Sequence, residues 1–149
     1  MSRQDAAQGA THAPAIVRYN RDAVEQIVQC VRDGTYCAVL GPRLSGKTVL
    51  LRYVEEVLTQ SLGWTCIYVD LHTLEASTLQ GFFADLIDFI AGRVEDLAGP
   101  KLQAPEASFA SSAVFRGFLE DAVAALGRDL VLIIEHLEAV PTDLVQALL

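Results

Sequence analysis

Eight consecutive residues, Gly41, Pro42, Arg43, Leu44, Ser45, Gly46, Lys47 and Thr48, follow the spacing GxxxxGK[ST]. Glycines at both ends of such a run let the backbone curl until successive N–H groups point at one spot. A helix starting there adds its N-terminal partial positive charge. Phosphate oxygens are what this arrangement attracts. Lys47 is then long enough to reach the β- and γ-phosphates of a nucleoside triphosphate, and the Thr48 hydroxyl suits Mg²⁺. The whole segment 41–48 is assigned to nucleotide contact, with Arg43 either facing the γ-phosphate or lying outward.

A phosphate loop of this kind needs an acid at the end of a neighbouring strand to orient Mg²⁺ and its waters. The run Leu130-Val-Leu-Ile-Ile134 followed by Glu135 supplies one, so Glu135 is expected on the metal side. His136 and Glu138 compete for polarising the attacking water; His136 reads equally as a solvated residue at the strand end, and Glu138 reads first as a surface residue. Asp70 closes another apolar run, at the edge where open α/β sheets bind ligands, and reads first as a strand-end or turn carboxylate. Tyr19 is either an adenine-stacking ring or an aromatic packed on the first helix.

The elements that position these residues follow from periodicity. Asn20 caps a first helix through Val24, Ile27, Val28 and Val31, which Gly34 ends. Strands are expected at about 36–40, 65–71 and 129–135. Between them lie helices over 48–62, from Ser77 (with Gln80 in a capping box) to Gly99-Pro100, and over 111–126 with Gly127 closing. Lys101–Phe109 is a loop, and Pro141 opens a last helix. The uninterrupted apolar strand 130–134 is the pattern of a central strand covered on both faces. Phe82, Phe83 and Phe89 are core residues at helical spacing. The alternation of strands and helices predicts a three-layer α/β fold around a parallel sheet.

Composition narrows the function classes. The chain has 149 residues, enough for one domain with a real core. Residues 1–17 read as a disordered leader and 18–149 as the folded domain. Eleven basic against 19 acidic residues leave a net charge of −8, which excludes the basic footprint of a nucleic-acid binder or of a protein held on anionic lipid. No apolar segment is long enough for a membrane span. Cys30, Cys37 and Cys66 form no CxxC pair, and as reduced, packed thiols they fit a cytoplasmic location. A mean hydropathy of +0.32 is high for a soluble monomer and points either to a large parallel-sheet core or to a face that expects further protein.

The segments Tyr19-Asn-Arg21-Asp22, Gly34–Leu51 and Ile67-Tyr-Val-Asp70-Leu make residues 17–149 resemble a bacterial AAA-like ATPase domain of the STAND type. In that family a helix precedes the phosphate-loop strand, an arginine sits where Arg43 does, and the second strand ends in aspartate. The resemblance implies a P-loop NTPase-like fold and an ATP-dependent signalling switch that binds Mg²⁺-ATP, fused to sensor or effector modules. Two departures shape the expectation. The family ends its acidic strand with Asp-Glu, the second being the base, where this chain has Glu135-His136, so binding is expected with weak hydrolysis. A later strand that normally separates the phosphate-loop strand from the acidic one is not reached, so the sheet is expected to be incomplete, as in the N-terminal portion of a larger ATPase. The alternative is a non-enzymatic fragment serving as an interaction or homo-oligomerisation domain.

Overall fold

The computed structural model describes residues 15–18, 22–75, 77–98 and 101–149. Its first compact unit extends to Val54 and its second runs from Glu55 to Leu149, the boundary falling inside one helix. In the first unit, Ala15–Arg18 (β1), Ala23–Arg32 (α1) and Cys37–Leu40 (β2) form a β–α–β crossover. The two strands are parallel, with Ala15 opposite Cys37 and Arg18 opposite Leu40. Ala23 and Ile27 are the buried positions of α1. The helix ends because Gly34 adopts φ +67°, returning its N–H to Val31 O while Thr35 N–H reaches Cys30 O, so the last carbonyls are satisfied.

β1 corrects the sequence reading on two points. Three strands were expected and the described residues contain four, and Ala15–Val17 belong to a strand where a disordered leader was expected. Ile16 and Val17 are β-branched, but a four-residue strand is too short to display a period of two. Residues 1–14 of the expected leader, with Tyr19 and the expected cap Asn20, lie outside the described residues.

Lys47–Leu62 (α2) follows β2 and stops at Gly63, whose φ of +66° sends its N–H back to Thr59 O. The second unit continues with Thr65–Asp70 (β3), Leu79–Ala98 (α3), Ser112–Leu126 (α4), Leu130–Glu135 (β4) and Thr142–Leu148 (α5). β3 and β4 are parallel, joined through α3 and α4, and run in register from Thr65 opposite Leu130 to Asp70 opposite Glu135. The cap of α3 falls one residue later than expected: Thr78 Oγ1 accepts from Gly81 N–H at 3.1 Å, and Gln80 donates instead to Ala107 O. The α4 cap is at Ser111, whose hydroxyl accepts from Val114 N–H. Gly127, at φ +63°, closes that helix.

Alternation along β3 decides what the core contains. Ile67, Val69 and Leu71 are enclosed against Phe82, Phe83, Leu86 and Ile90 of α3 and Phe115 and Phe118 of α4, with the Phe83 and Phe115 rings 5.5 Å apart. Phe89 is half-buried at the margin of this cluster. β4 differs from the fully covered strand that its apolar run suggests: only Ile133 is buried and its neighbours are half-buried. β3 is its only strand partner among the described residues, so the run reflects partial cover of both faces, with Leu130, Leu132 and Ile134 against the main cluster and Ile133 on the other side. The class is mixed α/β with parallel strand pairs. No helix among the described residues is long and apolar enough to cross a membrane.

Phe82 and Gly127 report on different parts of this construction. Phe82→Ala leaves a cavity in the enclosed cluster and is expected to cost about 3–5 kcal/mol in denaturant unfolding. Gly127→Ala meets no atom within 4 Å, so its cost is conformational only, about 1–2 kcal/mol for forcing a Cβ into left-handed backbone.

Candidate functional site

The segment 41–48 lies wholly in the first unit, as the loop 41–46 after β2 and the first two residues of α2. Helical hydrogen bonding begins as Leu50 N–H reaches Gly46 O, and Gly46 holds φ +87°, a conformation that its missing Cβ permits. Leu44 is also left-handed, at φ +60°, and its side chain is 99% exposed. A bulky residue in that conformation with no packing to compensate is a local strain. Lys47 Nζ donates to Gly41 O at 2.9 Å and Pro42 O at 2.7 Å, so the ammonium closes the loop on its own first carbonyls. Ser45 Oγ is enclosed and meets no hydrogen-bond partner among the described residues. Arg43 and Thr48 are exposed.

Glu135 and His136 lie in the second unit, at the C-terminal end of β4. The parallel register brings Asp70 level with Glu135, so three groups singled out from sequence meet at one strand edge. Glu135 accepts a hydrogen bond from the Tyr68 hydroxyl, two residues back along β3 on the face that Asp70 shares. His136 takes φ +61° and turns the chain out of the strand into a short 3₁₀ turn, Leu137–Ala139. Its Nδ1 is 2.8 Å from Asp70 Oδ1. Glu138, within that turn, is exposed.

Asp70 is held from its other side by the turn that follows β3, Leu71–Thr73. His72 N–H donates to Asp70 Oδ1 at 2.9 Å, and Thr73 Oγ1 donates to Asp70 O at 2.7 Å. The His72 ring stands beside that of His136, centroids 4.1 Å apart, with its Nδ1 3.7 Å from Asp70 Oδ1. Tyr68 and His72 were not singled out from sequence. Their signal was their position, two residues either side of a strand-end aspartate, and it acquires meaning only once β4 is paired alongside.

The electrostatics follow from these contacts. The hydrogen bond to Asp70 raises the His136 imidazole above its ordinary value; lost hydration opposes it, and the charges of Asp70, Glu135 and Glu138 reinforce it. For Asp70, lost hydration alone would raise the carboxyl, but the His72 N–H, the His136 hydrogen bond and the two imidazole charges outweigh it and hold the group below its ordinary value. The cysteines are inert by comparison. Burial, with the Cys30 thiol alongside, pushes Cys37 up to about 11, and burial also raises Cys66, so both remain thiols at neutral pH.

No family model, no curated protein and no solved structure matches this chain.

The Asp70–His136 contact therefore has a defined pH window. A raised histidine pKa stabilises the fold below the unfolded-state value, and that contribution is lost as pH rises through the folded value. A lowered aspartate pKa stabilises above the unfolded-state value and is lost as pH falls through the folded one. The pair should be intact between Asp70's lowered and His136's raised pKa. In an NMR titration of the three histidines, His136 is expected to titrate above the ordinary range in the native chain and to move down in Asp70→Asn. An unchanged His136 midpoint in that variant would show that the contact does not form.

Proposed function

We propose that this protein is an ATP-binding P-loop module of a STAND or AAA-like signalling ATPase, with weak hydrolysis. The observation that carries the reading is the strand–loop–helix segment β2, 41–46, α2, with its GxxxxGKT sequence and left-handed Gly46. The loop fits a polyphosphate on an independent ground, because Ser45 Oγ is an enclosed polar atom without a partner among the described residues. Such an atom costs about 1–3 kcal/mol unless something satisfies it. Lys47 supports the same reading. Its ammonium is held by two neutral carbonyls, and exchanging them for anionic phosphate oxygens replaces ordinary hydrogen bonds with charge-assisted ones.

In this reading Gly41, Pro42, Arg43, Leu44, Ser45 and Gly46 surround the phosphates, Lys47 contacts the terminal ones, and the Thr48 hydroxyl serves Mg²⁺. The cation, when bound, neutralises phosphate charge. Glu135 is oriented by the Tyr68 hydroxyl. His136 occupies the position where the family carries its base, and its Nδ1 is already engaged with Asp70.

Thermal unfolding of the whole chain with and without Mg²⁺-ATP tests this. Ligand at about 100 times its dissociation constant adds about 2.7 kcal/mol to the native state, several degrees for a chain of this size. The shift is expected in the native sequence, absent in Lys47→Ala, and less Mg²⁺-dependent in Thr48→Ala. Cooperative unfolding with no ATP shift, accompanied by self-association, would sink the switch and favour the interaction-domain alternative.

A further inference from the structure

We propose that Asp70, His72 and His136 form a chelating site for a late first-row divalent cation, with zinc as the representative ion. Two imidazole nitrogens and one carboxylate oxygen hold it. One ligand atom from each residue lies within 4.8 Å of the other two. His136 Nδ1 and His72 Nδ1 approach the same oxygen, Asp70 Oδ1, at 2.8 and 3.7 Å. Tetrahedral metal–ligand bonds of roughly 2.0–2.2 Å place neighbouring donors about 3.3–3.6 Å apart, between those two separations. The remaining adjustment falls on His72, whose side chain is 56% exposed and stands on a short turn.

Hydrogen bonding accounts for His136 on Asp70 and, through the His72 backbone N–H, for the turn that carries His72, but not for the His72 ring. At 3.7 Å the His72 ring nitrogen is beyond a hydrogen bond, yet it stands near the same oxygen with its ring against that of His136. A shared cation gives both rings one reason to converge. The support around the donors has the form that metal sites use, because Asp70 is fixed by the His72 N–H and His136 is turned toward it by left-handed backbone.

Donor type sets the ion. Imidazole nitrogens favour zinc, nickel, copper and cobalt, whereas Mg²⁺ and Ca²⁺ prefer all-oxygen surroundings. The site is thus chemically separate from the Mg²⁺ of the nucleotide reading and does not rest on it. The exposed side at His72 leaves room for water to complete the coordination.

Titration of the full chain with Co²⁺, followed by displacement with Zn²⁺, tests the assignment. One equivalent of Co²⁺ is expected to give visible d–d bands without the near-ultraviolet charge-transfer band of thiolate ligation. Affinity should fall roughly tenfold or more in each of His72→Ala, His136→Ala and Asp70→Asn. Lys47→Ala should bind as the native sequence does, keeping this outcome distinct from failure of the nucleotide site. If His136→Ala fails to fold, His72→Ala carries the test from its exposed turn. No binding by the native chain, a thiolate band, or unchanged affinity in His72→Ala would overturn the proposal.

Discussion

Burial of one face of β3 is the constraint on which the strand-end chemistry depends. Ile67, Val69 and Leu71 are enclosed beneath α3 and α4, and a slip of one residue would turn Cys66, Tyr68 and Asp70 into that apolar cluster instead. An ionised aspartate there would have to pair or neutralise, at a cost of several kcal/mol. The core therefore forbids the slip. With the register locked, Asp70 stands opposite Glu135, and the residue after Glu135 is delivered to the Asp70 carboxylate. Packing of phenylalanines on α3 and α4 is in this sense what positions a histidine and an aspartate 66 residues apart.

How far the sequence could be read divides along the same line. The loop at 41–48 was legible because its geometry is local: two glycines, a lysine and the following helix lie within eight residues. Helix ends were legible for the same reason at Gly34, Ser111 and Gly127, where one residue type meets one backbone requirement. The α3 cap was misplaced by one because Ser77 and Thr78 can both cap, and the actual partner of Gln80 is a carbonyl in the loop beyond α3. β1 was missed because its ordering comes from pairing with β2 rather than from its own pattern. The Asp70–His72–His136 group was illegible in full, since neither histidine has any local mark of convergence until β3 and β4 are set side by side.

Among the described residues, two other than glycine occupy left-handed backbone, and both follow a strand end. Leu44 sits in the loop after β2 and His136 in the turn after β4. Such conformations cost of order 1–3 kcal/mol and persist where the surroundings over-determine them. At His136 the compensation is visible, in the contact with Asp70 and the tilted ring beside His72. At Leu44 the side chain meets solvent, and the loop around it is closed by Ser45 N–H on Pro42 O and by the Lys47 clasp on Gly41 and Pro42. The clasp and the strain belong to one loop, so a ligand that draws Lys47 away also changes what supports Leu44.

The two candidate sites therefore differ in what maintains them. The loop is built from backbone conformation and one lysine, and requires of the rest of the chain only that β2 and α2 exist on either side. The strand-end group is built from side chains on separate segments and inherits its precision from the core. Tyr68 on Glu135 and His136 on Asp70 divide the two strand-end carboxylates between a phenol and an imidazole, so neither acid is a generic surface charge. That division matters for any cation approaching this edge. Glu135, paired with a phenol, offers oxygen alone, as a hard ion prefers, while Asp70 comes with nitrogen donors already at its side. One strand edge thus presents two different coordination chemistries on adjacent positions, separated by the alternation of partners along β3 and the turn at His136.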